Sequence, residues 1–158
     1  MPTSNPNASL SRRSLLLAGG PFAFIASCAR AEARQLTVYK TPWCGCCGGW
    51  VTHMNRAGFS PNVVEVQDLA RIREKHGIPF SLSSCHTGII DGYILEGHVP
   101  PADVVRLLKE RPKALGLLVP GMPAGSPGME LPGGLKERFE TLLLLDRSGR
   151  TQVFAAHA

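Results

Sequence analysis

Cys44-Gly45-Cys46-Cys47 sets three thiols within four consecutive positions, in a chain of 158 residues that holds five cysteines. Cys44 and Cys47 make a Cys-x-x-Cys pair, and Cys46 inserts a third sulfur between them. A disulfide scaffold rarely clusters its cysteines so tightly. At the start of a helix, free backbone N–H groups and the helix dipole stabilise thiolates, the form that binds metal and attacks disulfides. Two chemistries follow from the one segment. All three sulfurs can ligate a soft metal, or Cys44 can act as exposed nucleophile with Cys47 as resolving thiol. A plain disulfide is the bland alternative, and it would leave one reactive thiol without a use.

Other donors lie further along the chain. Cys85 reaches the cluster if the strand after Ile78-Pro79 returns beside the cysteine loop, where it would complete a metal site or pair with Cys46; a buried inert thiol is the alternative. His86 adjoins Cys85, but strand neighbours face opposite sides, so the two are not expected to point at one ion. Met54 follows Cys47 by seven residues and His53 follows Cys46 by seven, which places each on the same helix face as its cysteine. Core packing competes with ligation for Met54, and a solvent-facing position competes for His53. His76, His98 and His157 have no soft partner nearby in sequence and read as surface histidines. Met122 and Met129 stand in Gly121-Met122-Pro123-Ala124-Gly125-Ser126-Pro127-Gly128-Met129-Glu130, a loop of small residues and prolines. Thioethers there have little core to fill, and thioether with thiolate is the ligand set Cu(I) prefers, whereas thiolates alone suit zinc as well. The methionines could instead pin the loop to the domain.

The elements that must position these groups are legible from periodicity. Leu36 to Lys40 alternates like a strand and runs into the cysteine loop; Trp50 to Arg56 reads as a helix stopped by Gly58. Asn62 to Val66 is a second strand, and a helical period continues from Leu69 to Gly77. His86 to Ile90 and Tyr93 to Val99 flank Asp91-Gly92 as a hairpin. Pro100-Pro101-Ala102-Asp103 opens a third helix that Pro112 ends. Strand, cysteine loop, helix, strand, helix, Ile-Pro, hairpin, helix is the order of a thioredoxin-like domain: an α/β fold with a mixed sheet and flanking helices, two crossovers joining parallel strands before an antiparallel pair. A Gly/Pro/Met-rich loop over 119–134 and a C-terminal hairpin, Thr141 to Leu145 with Thr151 to Ala156, complete it.

Residues 1–33 read as an export signal, with Arg12-Arg13, an apolar stretch from Leu15 to Ala26 and small-x-small sites at Ala29-Arg30-Ala31 and Ala31-Glu32-Ala33. Ser11-Arg12-Arg13-Ser14-Leu15-Leu16 resembles a twin-arginine signal, with ordinary secretory export as the alternative. Ile25-Ala26-Ser27-Cys28 loosely resembles a lipobox, which would anchor a lipid on Cys28. The expected location is the periplasm, and the expected domain is 34–158. The apolar run is too short and Gly-broken for a membrane span. The formal charge of +5 is scattered and aromatics are 6%, so no nucleic-acid stripe is present.

Cys44-Gly45-Cys46-Cys47-Gly48-Gly49-Trp50 with His53-Met54, Ser84-Cys85-His86-Thr87, Glu96-Gly97-His98-Val99-Pro100 and Val119-Pro120-Gly121-Met122-Pro123 with Gly125-Ser126-Pro127-Gly128-Met129-Glu130 together resemble the periplasmic CopG-type metal-binding family, formerly a domain of unknown function. The resemblance spans roughly 36–130. It implies a thioredoxin-like fold, a place in copper or silver resistance beside other periplasmic resistance proteins, and copper held by Cys44, Cys46, Cys47 and Cys85, with His53, Met54, Met122 and Met129 as further candidates. A thiol–disulfide oxidoreductase without a metal is the alternative function, and a structural zinc module a third.

Overall fold

The computed structural model of the chain describes residues 34–158. Residues 1–33, where an export signal is expected, with Arg12-Arg13 and Cys28, lie outside them. The described residues form a mixed α/β structure: β1 (Arg34–Lys40), α1 (Gly45–Arg56), β2 (Phe59–Glu65), α2 (Ala70–His76), a 3-10 turn (Phe80–Leu82), β3 (His86–Ile90), β4 (Tyr93–Glu96), α3 (Pro101–Glu110), β5 (Gly116–Leu118), β6 (Phe139–Leu144) and β7 (Thr151–His157). The sheet has seven strands in the order β2-β1-β3-β4-β5-β6-β7.

Alternation along the strands sorts the core onto two faces. Leu95, Leu117 and Leu143 join α1 (Trp50, Met54) and α3 (Val104, Leu107) in one cluster, while their neighbours Ile94, Leu118 and Leu144 join Ile78 in another. Among the described residues no helix is long and apolar enough to cross a membrane.

Three features differ from the periodicity. First, only β1 and β2 are joined as parallel strands by an early crossover; β3 runs antiparallel to β1. The seven-residue α2 rises only about 10 Å, less than half the run of a strand of equal length, so the chain cannot recross the sheet. It enters β3 from the end where β1 stops. Second, α1 begins at Gly45, five residues earlier than the apolar period shows, so Cys46 and Cys47 are helical. One of its glycines is there for space: a Cβ on Gly49 would come within 2.9 Å of Gly128 Cα. Third, β5 escapes the sequence pattern because it has only three residues. It pairs parallel with β4 and antiparallel with β6, and so ties the C-terminal hairpin β6–β7 into the main sheet.

Candidate metal centre

The cysteine cluster sits where two backbone constraints meet. Lys40, the last residue of β1, lies opposite His86, the first of β3. The segment leaving β1 therefore meets the segment entering β3, which brings Cys85 to residues 44–47. Cys44 occupies the N-cap position of α1, and its N–H donates to Thr41 O at 3.1 Å. Cys44 and Cys47 are joined as a disulfide, while Cys46 and Cys85 are free. Cys46 Sγ is 3.7 Å from Cys44 Sγ and 3.9 Å from Cys85 Sγ. All four sulfurs lie within 4.8 Å of one another. The sequence-level convergence of the four thiols is thus present in the fold.

Cys85 is held by a buried brace. Glu96, at the end of β4, accepts from the Ser84 N–H at 2.7 Å, the Arg73 Nε–H at 2.9 Å and the Thr87 hydroxyl at 2.6 Å. Arg73 also donates to Ser84 O, so both backbone polar groups of Ser84 are clamped. Burial raises the Glu96 carboxyl above its usual range, and Arg73 with the donated hydrogen bonds opposes that rise. Gly97 is required beside it: its φ is +74°, and a Cβ would come within 2.5 Å of Ser84 Oγ and of Val119 O.

The histidines depart furthest from the sequence reading. His98 is not a surface residue but fully buried, with Nε2 3.0 Å from Cys85 Sγ. Pro127 O accepts from its Nδ1–H at 2.8 Å, which leaves the Nε2 lone pair aimed at the sulfur. His86 is fully buried too, with Nδ1 3.3 Å from Cys85 Sγ. Strand alternation does not separate His86 from Cys85, because Cys85 lies at a bend before β3 begins. The His86 ring lies 4.4 Å from that of Trp50, and its Nε2 has no hydrogen-bond partner among the described residues. Cys85 therefore belongs to two donor groups at once, the four sulfurs and the trio Cys85, His86 and His98.

The remaining candidates scatter. Met54 is fully buried among Leu36, Trp50 and Val104 in the core. His53 joins neither donor group; its Nε2 lies 2.6 Å from Glu130 Oε1. Met122 is 54% exposed and lines an open cleft of about 430 Å³ together with Trp43, Cys44, Cys46, Asp68 and Cys85. Met129 does not line that cleft; its backbone closes a turn with Ser126 and Gly125. The loop is fastened to α1 by the Gly49–Gly128 approach and by Glu130, which takes the Gly128 N–H as well as His53. His76 and His157 are half-buried; His157 sits 3.0 Å from Asp103 on the hairpin side.

Burial pushes the Cys85 thiol up to about 12, with the adjacent Cys46 sulfur adding to the rise. It pulls the His86 imidazole from 6.5 down to about 3, His98 and Arg73 adding repulsion, and His98 moves down for the same first reason. A metal ion reverses the logic for the thiol, since it displaces the proton from a coordinating sulfur outright. In the metal-free protein, the buried histidines contribute to the pH dependence of stability. Unfolded His86 binds a proton below 6.5 that the folded residue refuses until about 3. Stability is therefore full above pH 6.5 and lost as pH falls towards 3, at up to about 1.4 kcal/mol per unit for this one group. Urea midpoints across that window should show the fall, and His86→Gln should flatten it; an unchanged slope in the variant would remove His86 as its source.

Soft sulfur and neutral imidazole together form a donor set that could hold a metal ion, and one suited to copper more than to hard cations. The family model described as "Protein of unknown function, DUF411" matches residues 82–129, which contain Cys85, His86, His98, Met122 and Met129. Two solved structures of copper resistance protein CopG, Form 1 and Form 2, are similar to this chain. Form 1 is 40% identical over 80% of this chain and 98% of its own, with a TM-score of 0.74. Form 2 is 40% identical over 80% and 100%, with a TM-score of 0.75. No curated protein matches the sequence.

Proposed function

Since the chain belongs to the DUF411 family and is a homologue of copper resistance protein CopG, we propose that it binds and handles Cu(I), or silver, in metal resistance. The observation that carries this reading is the pair of free thiols, Cys46 and Cys85, 3.9 Å apart with a third sulfur 3.7 Å from Cys46. A dithiol oxidoreductase needs two sulfurs, and a soft-metal site profits from every additional one. His98 and His86 extend the set beyond what the cysteine spacing contains. Met122, at the cleft mouth, supplies a thioether where an ion would enter. Residues 34–110 read as a thioredoxin-like unit, with β2-β1-β3-β4 as its sheet and the cysteines at the first helix. Read as an export signal, the first 33 residues would take the chain to the periplasm, where other copper-resistance proteins would supply or take up the ion.

A second reading has its own observation. The Cys44–Cys47 disulfide stands at the N-terminus of α1 beside an open cleft, as a thiol–disulfide oxidoreductase requires. Cys46→Ser separates the two. It should lower copper retention more than it slows reduction of insulin disulfides; the reverse ranking would favour the oxidoreductase. Met122→Ala should weaken Cu(I) binding and leave zinc binding unchanged, and Met129→Ala should change neither affinity. Competition against a chromophoric chelator reads both, and equal losses in the two variants would assign the methionines to packing.

A further inference from the structure

Cys46 stands between an existing disulfide and a free thiol, within reach of both. Its sulfur is 3.7 Å from Cys44 Sγ, one end of the Cys44–Cys47 bond, and 3.9 Å from Cys85 Sγ. We propose that the disulfide of the oxidised protein is mobile, passing through Cys46 from the Cys44–Cys47 position to a Cys46–Cys85 position and back.

The exchange proceeds by two thiolate attacks. In the first, Cys46 Sγ attacks Cys44 Sγ; the Cys44–Cys46 bond forms, the Cys44–Cys47 bond breaks, and Cys47 leaves with the electron pair. The proton that Cys46 gives up to solvent is balanced by one that Cys47 takes up, and the Cys47 thiol has an acceptor in Cys85 O, 3.7 Å away. In the second, Cys85 Sγ attacks Cys46 Sγ. The Cys46–Cys85 bond forms, the Cys44–Cys46 bond breaks, and Cys44 leaves into the cleft, where solvent protonates it. The proton that Cys85 releases has His98 Nε2 3.0 Å away to receive it. One disulfide and two thiols exist before and after, so the exchange consumes neither oxidant nor reductant.

The two isomers present different thiols. With the bond at Cys44–Cys47, the free pair is Cys46 and Cys85, tied to the buried histidines. With the bond at Cys46–Cys85, the free pair is Cys44 and Cys47 at the start of α1, and Cys44 faces the cleft. The position of the bond thus decides whether the oxidised protein shows its surroundings a free Cys44 thiol, backed by the buried Cys47, or a closed disulfide. This holds whether or not the protein carries copper.

Trypsin makes the isomers distinguishable, because Cys44, Cys46 and Cys47 fall on the peptide 41–56 and Cys85 on the peptide 76–106. The full chain carrying Cys28→Ala, metal-free and with one disulfide and two thiols per molecule, is incubated anaerobically above neutral pH. It is then quenched with acid, alkylated and digested, and only the monomer fraction is mapped by mass spectrometry. The two peptides are expected to appear joined, at a constant total of one disulfide per chain. Cys46→Ser and Cys46→Ala are each expected to lower the joined fraction about tenfold or more. Absence of the joined peptides in the protein with Cys46 intact overturns the proposal. So does an undiminished joined fraction in both variants, since Cys85 would then reach the disulfide without Cys46.

Discussion

Cys85→Ser is expected to lower the Cu(I) affinity of the reduced chain by at least about 100-fold, more than any other single substitution at the site. Cys85 is the one residue shared by the two donor groups, the four sulfurs and the Cys85–His86–His98 trio. Removing its sulfur separates the helix-terminal cysteines from both imidazoles. Serine nearly preserves the volume, but its hydroxyl is a hard donor with little affinity for Cu(I). The free thiol already carries a pKa pushed up to about 12, so its replacement by a neutral hydroxyl removes no charge from the metal-free fold. Stability should therefore change by less than about 1 kcal/mol, within the range of substitutions that create neither a cavity nor a buried unpaired charge. The affinity loss is read by competition with a chromophoric Cu(I) chelator under anaerobic conditions. A loss below tenfold would show that Cys85 stands near the ion without holding it.

Arg73→Ala is expected to have the largest effect on stability, about 3–5 kcal/mol, because it leaves a buried carboxylate without its countercharge. Glu96 is fully buried, and the Arg73 guanidinium that neutralises it is only 17% exposed. The sign of the pH dependence follows from the same pair. Burial already raises the Glu96 pKa above the ordinary 4.5, and loss of Arg73 raises it further. The stability of the variant is then retained below about 4.5 and lost as pH rises through the elevated folded value. The deficit relative to the parent protein should be greater in mildly alkaline than in mildly acidic buffer. Arg73 also holds Ser84 O, so the variant should bind Cu(I) less tightly although Arg73 touches no candidate ligand. Glu96→Gln keeps hydrogen-bonding capacity without the charge and should lose less stability than Arg73→Ala. Urea denaturation at the two pH values measures the stability effects and chelator competition the copper affinity; a pH-independent deficit would contradict the buried-charge account.

The parts of the site that could be read in the sequence are those specified by local chemistry. Cys44-Gly45-Cys46-Cys47 announces itself by spacing, and Cys85 follows once an Ile-Pro break and a strand are recognised before and after it. The hairpin turn at Asp91-Gly92 and the helix stop at Gly77 carry their own backbone signatures: Asp91, Gly92 and Gly77 all have positive φ. Contacts made only by folding were not legible. His98 lies 13 residues from Cys85 in sequence, and its other nitrogen is fixed by a carbonyl 29 residues away. Its nearest clue was position, next to Gly97 at the end of a strand buried on both faces. His86 was misplaced by assuming strand alternation one residue too early. Met54 and His53 share helix faces with their cysteines as the seven-residue spacing requires. The Met54 face nevertheless points into the core, and His53 finds Glu130 on the Met-rich loop. Periodicity fixes which residues share a face, but not what that face meets.

On the proposed reading, sulfur from residues 44–47 and from Cys85 converges on one soft cation, joined by buried imidazole. Anaerobic titration of the fully reduced chain with Cu(I), followed by X-ray absorption of the loaded protein, addresses it directly. The account predicts at least one retained copper per chain in a sulfur-dominated shell, with a sulfur contribution that falls in Cys85→Ser. Copper lost on desalting, or bound in a shell that Cys85→Ser leaves unaltered, would contradict it.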